Sequence, residues 1–126
     1  MARRRSETLT DAELRVMDVL WDRSEATVAD AVSALKVRGE LAYNTVLTTL
    51  RILEKKGYVT HRQEGRAFVY IPAVDRKQAQ RHAIRHLVSR LFDGSPEMLV
   101  LNVVKDENLD LTEIDRLRRM VDGSES

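Results

Sequence analysis

The chain has no cysteine among its 126 residues, and only 5% of them are aromatic. Without cysteine there are no disulfides, no thiolate metal ligands and no cysteine nucleophile. The scarcity of aromatic residues predicts a core built mainly from Leu, Val, Ile and Ala. No apolar run approaches the length of a membrane span, and the arginines at residues 3–5 lead into a polar stretch. We therefore expect a cytoplasmic protein.

Motifs typical of enzymes are also missing. There is no glycine-rich phosphate loop, and no histidine lies beside a paired carboxylate in a recognisable pattern. We predict a protein that is not an enzyme and needs no cofactor. Hydrophobic residues at 43% and charged residues at 33% are typical of a soluble folded protein. The length allows one ordinary domain, or a small domain with an oligomerisation segment.

The net charge of +1 is unevenly distributed along the chain. Residues 75–92 hold five basic and one acidic residue, whereas residues 93–126 hold four basic and nine acidic residues. The acidic carboxyl end is a poor partner for phosphate. A nucleic-acid surface would have to be local, formed by one helix face, a nearby loop and the arginine-rich amino terminus.

The stretch from residue 41 to residue 56 has the pattern of a helix with two different faces. The apolar face consists of Val46, Leu50 and Leu53. The opposite face carries hydrogen-bond donors and cations without a carboxylate: Asn44, Thr48, Arg51 and Lys55. Short polar side chains followed by cations suit the major groove, where the former reach base edges and the latter reach phosphates.

The elements around this stretch predict a winged helix-turn-helix. Capping-box spacing at Thr10 and Glu13 predicts a helix over 11–22, with Trp21 as a core anchor. A possible edge strand at 25–28 and a second helix over 28–35 follow. After Gly57, the β-rich segments 58–62 and 67–71 predict a hairpin that turns at Glu64–Gly65 and stops at Pro72.

Three helices followed by a hairpin make residues 1–74 a winged helix-turn-helix DNA-binding domain. The tip of the hairpin carries Arg62 and Arg66, which we expect to contact the phosphate backbone together with Arg51 and Lys55. Glu64, between the two arginines of the tip, weakens that expectation a little.

Residues 75–126 predict a domain of three helices, over about 75–92, 96–104 and 111–122. The segment 98–104 is apolar on every side except at Asn102, so we expect it to be buried all round. This apolar surface exceeds what a small neighbour could cover, and a second copy of the chain is the simplest partner. The residues expected in the dimer interface are Leu87, Leu91, Leu99, Leu101, Ile114 and Leu117.

Two other readings stay open. His82 and His86 lie at i and i+4 on one predicted helix and could ligate a metal in a metal-responsive regulator, although no third ligand is evident and our prediction includes no metal site. A winged helix can also act as a protein-interaction module without DNA affinity. Salt-dependent binding to a duplex discriminates that module from a repressor.

Taken in order, these residues resemble the penicillinase-repressor family of bacterial transcription regulators, the BlaI/MecI/CopY group. The matching segments are residues 12–21, 45–50, 53–59 and 99–102, and the resemblance extends over about 10–121. It implies a homodimer with a winged-helix domain and a helical dimerisation domain, which represses transcription by binding inverted repeats in double-stranded DNA.

The resemblance also implies which residues contact bases. The family's contacts at the start of the recognition helix fall on Asn44, Thr45 and Thr48. Asn44 replaces a lysine common there, and it could bind adenine or cap the helix. An arginine of the family falls on Ile52, which cannot bind phosphate, so we expect Arg51 to take that contact.

A proteolytic switch is a further implication of the resemblance. In one branch of the family, a membrane sensor-protease signals and the repressor is cut after the Asn of a Leu-Val-Leu-Asn-Phe segment. Residues 99–103 match it except for Val103, so Asn102 and Val103 are the candidate cleavage site. Asn102 could instead be a polar residue tolerated in a dimer helix. The copper-responsive branch uses carboxyl-terminal cysteines, which excludes it here.

Overall fold

Six helices and three short strands form the part of the chain that the computed structural model describes, residues 8–36 and 42–123. In chain order they are α1 (Asp11–Arg23), β1 (Ala26–Thr27), α2 (Val28–Lys36), α3 (Tyr43–Lys56), β2 (Val59–Glu64), β3 (Ala67–Pro72), α4 (Arg76–Leu91), α5 (Pro96–Asp106) and α6 (Leu111–Val121). The predicted mainly helical fold with a small hairpin is confirmed. The basic residues 3–5 and the predicted start of the third helix at residue 41 lie outside the described residues.

Short polar side chains cap the starts of α1, α2, α4, α5 and α6. In α1, the Thr10 hydroxyl accepts a hydrogen bond from the Glu13 N–H at 3.1 Å, and the Glu13 carboxylate accepts one from the Thr10 N–H at 2.9 Å. This is the predicted capping box. Reciprocal bonds of the same kind join Thr27 to Asp30 before α2, Asp75 to Gln78 before α4, and Asp110 to Glu113 before α6.

The three strands form one antiparallel sheet in the order β1-β3-β2. Thr27, Val69 and Arg62 pair in one row across it, so their side chains share a face. Glu64 pairs with Ala67, which leaves Gly65 and Arg66 as the turn. The predicted turn at Glu64–Gly65 was therefore wrong by one residue. Gly65 opens the turn at φ 62°, in the left-handed region that glycine tolerates.

One hydrophobic core holds α1, α2, α3 and the sheet together. Its fully buried side chains come from every one of these helices and from the chain beside them: Val16, Met17, Leu20, Ala31, Leu35, Val46, Leu50, Leu53, Tyr58, Val59 and Val74. Trp21 is partly buried at the border of this core. Its indole Nε1 donates a hydrogen bond to the Val74 carbonyl at 2.9 Å.

The chain divides into two compact units, Met1–His86 and Leu87–Ser126. The division falls inside α4, whereas the sequence predicted a boundary between residues 74 and 75. The first unit extends further because Val74 and Ala79 are buried within its core. Whether the units serve as DNA-binding and dimerisation domains stays a prediction.

The second unit exposes most of its apolar side chains. In α5 and α6, which are described from end to end, no residue is buried. The expectation that residues 98–104 are buried on every side is wrong for the single chain, since Val100 is 59% exposed. A helix that is apolar all round needs neighbours on several sides, and one copy of this unit does not supply them.

Candidate nucleic-acid interface

Helix α3 is buried along one side and exposed to solvent along the other. Val46, Leu50 and Leu53 are fully buried in the core of the first unit. Thr49 is also buried, and its hydroxyl donates to the Thr45 carbonyl at 2.8 Å, so it is satisfied within the helix. The opposite side exposes the five side chains that the sequence predicted as DNA contacts: Asn44, Thr45, Thr48, Arg51 and Lys55.

The start of α3 bears on the two roles left open for Asn44. The N-cap residue is Ala42, and no side chain of the described residues caps the helix there. Asn44 lies inside the first turn with its side chain exposed. Among the described residues, capping is therefore not its role, and its side chain faces solvent.

The end of α3 is held against the start of α1. Gly57 ends the helix in the left-handed conformation at φ 91°, which glycine adopts readily. Lys56 donates from Nζ to the two oxygens of Glu13 at 2.8 and 3.1 Å. Glu13 is buried and also completes the cap of α1, so it joins both helices. Sequence reasoning recognised Glu13 only as a cap, because its partner lies 43 residues away.

His61 joins the hairpin to α3. Its Nδ1 lies 2.9 Å from both carboxylate oxygens of Glu54. The imidazole packs against Phe68 and Tyr70 of β3, with ring centroids 4.9 and 5.4 Å away. Burial raises the pKa of the Tyr70 phenol. These contacts orient the hairpin relative to α3.

The two arginines of the hairpin differ in what they contact. Arg62 forms a bidentate pair with Glu25 at 2.9 and 3.1 Å and a further bond to Glu64 at 2.9 Å. The bond to Glu25, followed by that to Glu64, raises the pKa of Arg62, and the same contact lowers the pKa of Glu25. Arg66 is an exposed turn residue at the tip.

His82 and His86, the histidines that could ligate a metal, both lie on α4 and are both partly buried. The Nδ1 atom of His82 is buried without a hydrogen-bond partner. Within residues 8–36 and 42–123, no group of three or more His, Cys, Asp or Glu side chains is arranged to hold a metal ion.

The residues predicted for the dimer interface are accessible in the single chain. Leu87, Leu91, Leu101 and Leu117 are exposed, while Leu99 and Ile114 are partly buried. Among the described residues, no helix is long and apolar enough to cross a membrane.

The candidate cleavage site lies in the middle of α5. Asn102 donates from its amide nitrogen to the Met98 carbonyl at 2.7 Å, and Val103 follows it with an exposed side chain. A peptide bond within a helix is not extended, so a protease reaches it only after local opening. The polar Asn102 side chain is satisfied within its own helix.

Comparison with known proteins connects this geometry to a family. The family model described as Penicillinase repressor matches residues 9–123. The penicillinase repressor of Bacillus licheniformis is 31% identical over 114 residues, covering 90% of this chain and 89% of the relative. Transcriptional regulator BlaI of Mycobacterium tuberculosis is 36% identical over 113 residues, covering 88% of this chain and 80% of the relative.

Two solved structures are similar in fold. The solution structure of the DNA-binding domain of the repressor BlaI matches with a TM-score of 0.54 and 34% identity, covering 61% of this chain and 93% of that one. The solution structure of monomeric Bacillus licheniformis BlaI in complex with the blaP half-operator matches with a TM-score of 0.50 and 36% identity. The match covers 57% of this chain and 88% of that one. The predicted winged helix is confirmed.

Proposed function

This chain belongs to the penicillinase repressor family, and we propose that it is a transcriptional repressor that binds inverted-repeat operators as a homodimer. The observation that carries the proposal is the two-sided packing of α3. One side is fully buried and rigidly held, while the other presents hydroxyls, an amide and cations to solvent. The relative whose structure contains a half-operator supports DNA as the ligand of this face.

The exposed side chains of α3 have different lengths, and we assign them to bases or to phosphates accordingly. Thr45 and Thr48 are short, and we assign their hydroxyls to base edges in the major groove. Asn44 joins them, because an exposed amide can bind adenine with two hydrogen bonds. Arg51 and Lys55 follow one and two turns later, and their long side chains reach phosphates.

The hairpin adds phosphate contacts of unequal strength. Arg66 lies at the tip and its guanidinium is exposed, so it binds phosphate directly. Arg62 must first leave Glu25 and Glu64, and that exchange offsets much of what a new phosphate contact contributes. Replacing Arg66 with Ala is therefore expected to weaken DNA binding more than replacing Arg62 with Ala.

In the proposed homodimer, the second unit of each chain forms the contact with the other chain. An apolar surface that one chain leaves open is stabilised by burial against another copy, and two-fold symmetry is the common solution for such a pair. A dimer presents two copies of α3, which matches an operator with two inverted half-sites one helical turn apart. DNA affinity then depends on both subunits.

We also propose that cleavage between Asn102 and Val103 relieves repression, with a membrane sensor-protease as the upstream partner. The support is the residue pattern of 99–103 and the shallow packing of α5, whose residues are unburied in the single chain. Cutting α5 would remove part of the proposed interface and separate the two reading helices. Incubation of the protein with the protease, followed by mass spectrometry, tests for a cut at this bond.

The test of the main proposal is DNA binding as a function of salt. The parent protein should lose affinity steeply as salt rises, because bound cations release counterions from the phosphates. Arg51→Ala should weaken binding to every duplex alike and lower the slope of log K against log salt by about one. Thr48→Ala should instead relax the preference at one base pair.

Arg15 provides the matched control, because it is an exposed arginine on α1, outside the proposed face. Arg15→Ala should leave both the affinity and the salt slope close to those of the parent. If Arg51→Ala behaves like Arg15→Ala, the phosphate role of Arg51 is wrong. A parent protein that binds no duplex in a salt-dependent manner would contradict the proposal and favour a protein-interaction module.

A further inference from the structure

One aliphatic side chain lies on the side of α3 that otherwise carries donors and cations. Ile52 is 42% exposed, whereas Val46, Leu50 and Leu53 of the same helix are fully buried. Each residue advances about 100° around a helix, so Ile52 lies between the directions of Thr45 and Thr48. It lines one shallow surface depression with Thr48, Arg51, Glu54 and Lys55.

The surroundings of Ile52 restrict what it can contact. A protein partner would require a larger continuous apolar patch, and its neighbours Thr48, Arg51 and Lys55 are all polar or charged. Phosphates offer an isoleucine nothing to bind. In the major groove, the only apolar group on a base edge is the C5-methyl group of thymine.

We propose that Ile52 is a specificity-determining residue, which selects thymine by packing against its C5-methyl group. This inference rests on the proposed function, because it requires α3 to enter the major groove. Ile52 lies four residues after Thr48, which is about 6 Å along the helix axis. Adjacent base pairs are separated by about 3.4 Å along the DNA axis, so the selected thymine lies at most about two base pairs from the Thr48 contact, and less where α3 is inclined to that axis.

The side chain of isoleucine suits this task. Two heavy substituents on its β-carbon restrict rotation about χ1, so little conformational entropy is lost when a methyl group packs against it. The neighbouring cations, Arg51 and Lys55, hold the helix against the backbone by phosphate contacts. They position Ile52 but do not distinguish thymine from the other bases.

The test removes the methyl group from the DNA without changing base pairing. A preferred duplex is first selected from a random library with the full-length parent protein. Each thymine of that duplex is then replaced in turn by uracil, and affinity is measured at fixed salt. At one thymine in each half-site, loss of the methyl group should weaken binding by the parent about fourfold, the effect of one buried methylene-sized group.

The variant Ile52→Ala should bind the same duplex more weakly and lose its sensitivity to uracil at that position. Because Ile52 is exposed, this variant should fold like the parent. Leu14 is the matched control, since it is also 42% exposed and lies on α1. Leu14→Ala should retain the full fourfold effect of uracil.

Each other outcome overturns a specific statement. If no thymine in the selected duplex is sensitive to uracil, or if Ile52→Ala keeps the parent's sensitivity, Ile52 does not contact the methyl group. In either case the repressor function stands, because the parent still selected a sequence. If the parent selects no sequence at all, the proposed function fails and the inference fails with it.

Discussion

Leu50 in α3 and Leu117 in α6 both occupy the apolar side of an amphipathic helix, but their environments differ. Leu50 is fully buried within the first unit, whereas Leu117 is 47% exposed within the second. The first unit closes its core within one chain and so can present the polar side of α3 to another molecule. No residue of α5 or α6 in the second unit is buried, and their apolar side chains form the surface that the proposed dimer would cover.

The contrast shows that helical periodicity identifies which side chains face one way but not what covers them. Both helices have an apolar stripe at the same spacing, and α6 has the stronger start, since a capping box begins it whereas Ala42 begins α3 without a side-chain cap. Only the fold of the first unit supplies three other elements to pack on α3. The following predictions test this difference between the units, from the largest expected effect to the smallest.

The first prediction compares the same substitution in the two units. Leu50→Ala should lower the free energy of unfolding of the first unit by about 2–5 kcal/mol, because it leaves a cavity in a closed core. Leu117→Ala should leave that unfolding transition unchanged and weaken self-association instead. Urea unfolding followed by the fluorescence of Trp21, the single tryptophan, measures the first unit, and sedimentation equilibrium measures association.

Leu117→Ala could contradict this comparison in one way. If it shifts the Trp21 transition as much as Leu50→Ala does, then Leu117 stabilises the first unit. The two units would then not differ in the way that burial indicates. Leu91→Ala, a second leucine exposed in the single chain, is the control and should behave like Leu117→Ala.

The second prediction concerns where the first unit ends. A fragment of residues 1–86 should fold as a monomer, whereas a fragment of residues 1–73 should be less stable by about 2–4 kcal/mol. The shorter fragment loses the buried Val74 side chain and the hydrogen bond from Trp21 to the Val74 carbonyl. Urea unfolding monitored by Trp21 compares them, and equal midpoints would place the end of the unit at residue 73.

The third prediction compares the N3 glutamates of two capping boxes, Glu13 in α1 and Glu113 in α6. Glu13→Gln should lower the free energy of unfolding by about 1–3 kcal/mol, because Glu13 is buried and accepts a charged hydrogen bond from Lys56. Glu113→Gln changes the same capping position in α6, where the side chain is exposed, and should cost about 0.5 kcal/mol. Thermal unfolding by circular dichroism measures both, and similar losses would show that the Lys56 contact contributes little.

The fourth prediction has the smallest expected effect and concerns the stability of the first unit at low pH. Hydrogen bonds from Thr27 lower the pKa of Asp30, so its ionised form stabilises the start of α2. This contribution is complete above the unfolded pKa of about 3.9 and is lost as the pH falls through the lower folded pKa. Asp30→Asn should therefore make the free energy of unfolding of the first unit depend less steeply on pH at low pH. Thr27→Ala removes only the hydroxyl and keeps the backbone N–H that donates to Asp30, so it should change the pH dependence less than Asp30→Asn does. An unchanged pH dependence in Asp30→Asn would contradict the assignment.

Several parts of the fold were predictable because they depend on neighbours in the sequence. Examples are the cap at Thr10, the left-handed conformation of Gly57 and the alternation around the hairpin. Each depends on interactions between residues only a few positions apart. The start of α2 was predicted, but its cap by Thr27 and Asp30 was not, although the spacing Thr-x-x-Asp carried that signal. The turn was misplaced by one residue because Glu64 extends the strand ladder before Gly65 begins the turn.

The candidate interface was predicted in part for the same reason. One helical period is enough to put Thr48, Arg51 and Lys55 on one side of α3. The pairing of Arg62 with Glu25 joins residues 37 apart in sequence, and no local pattern identifies such a partner. The pairing distinguishes Arg62 from Arg66, two arginines to which the sequence analysis gave the same phosphate role.

The sequence by itself determined the elements, their caps and the two-faced character of α3, because these follow from interactions between residues a few positions apart. Only the tertiary structure decided which apolar faces are closed, which charges are paired and where the first unit ends. Those outcomes depend on contacts between residues that are distant along the chain, and their energies are set by burial. Leu50 and Leu117 share a pattern in the sequence, and the surrounding fold alone makes one a core residue and leaves the other exposed.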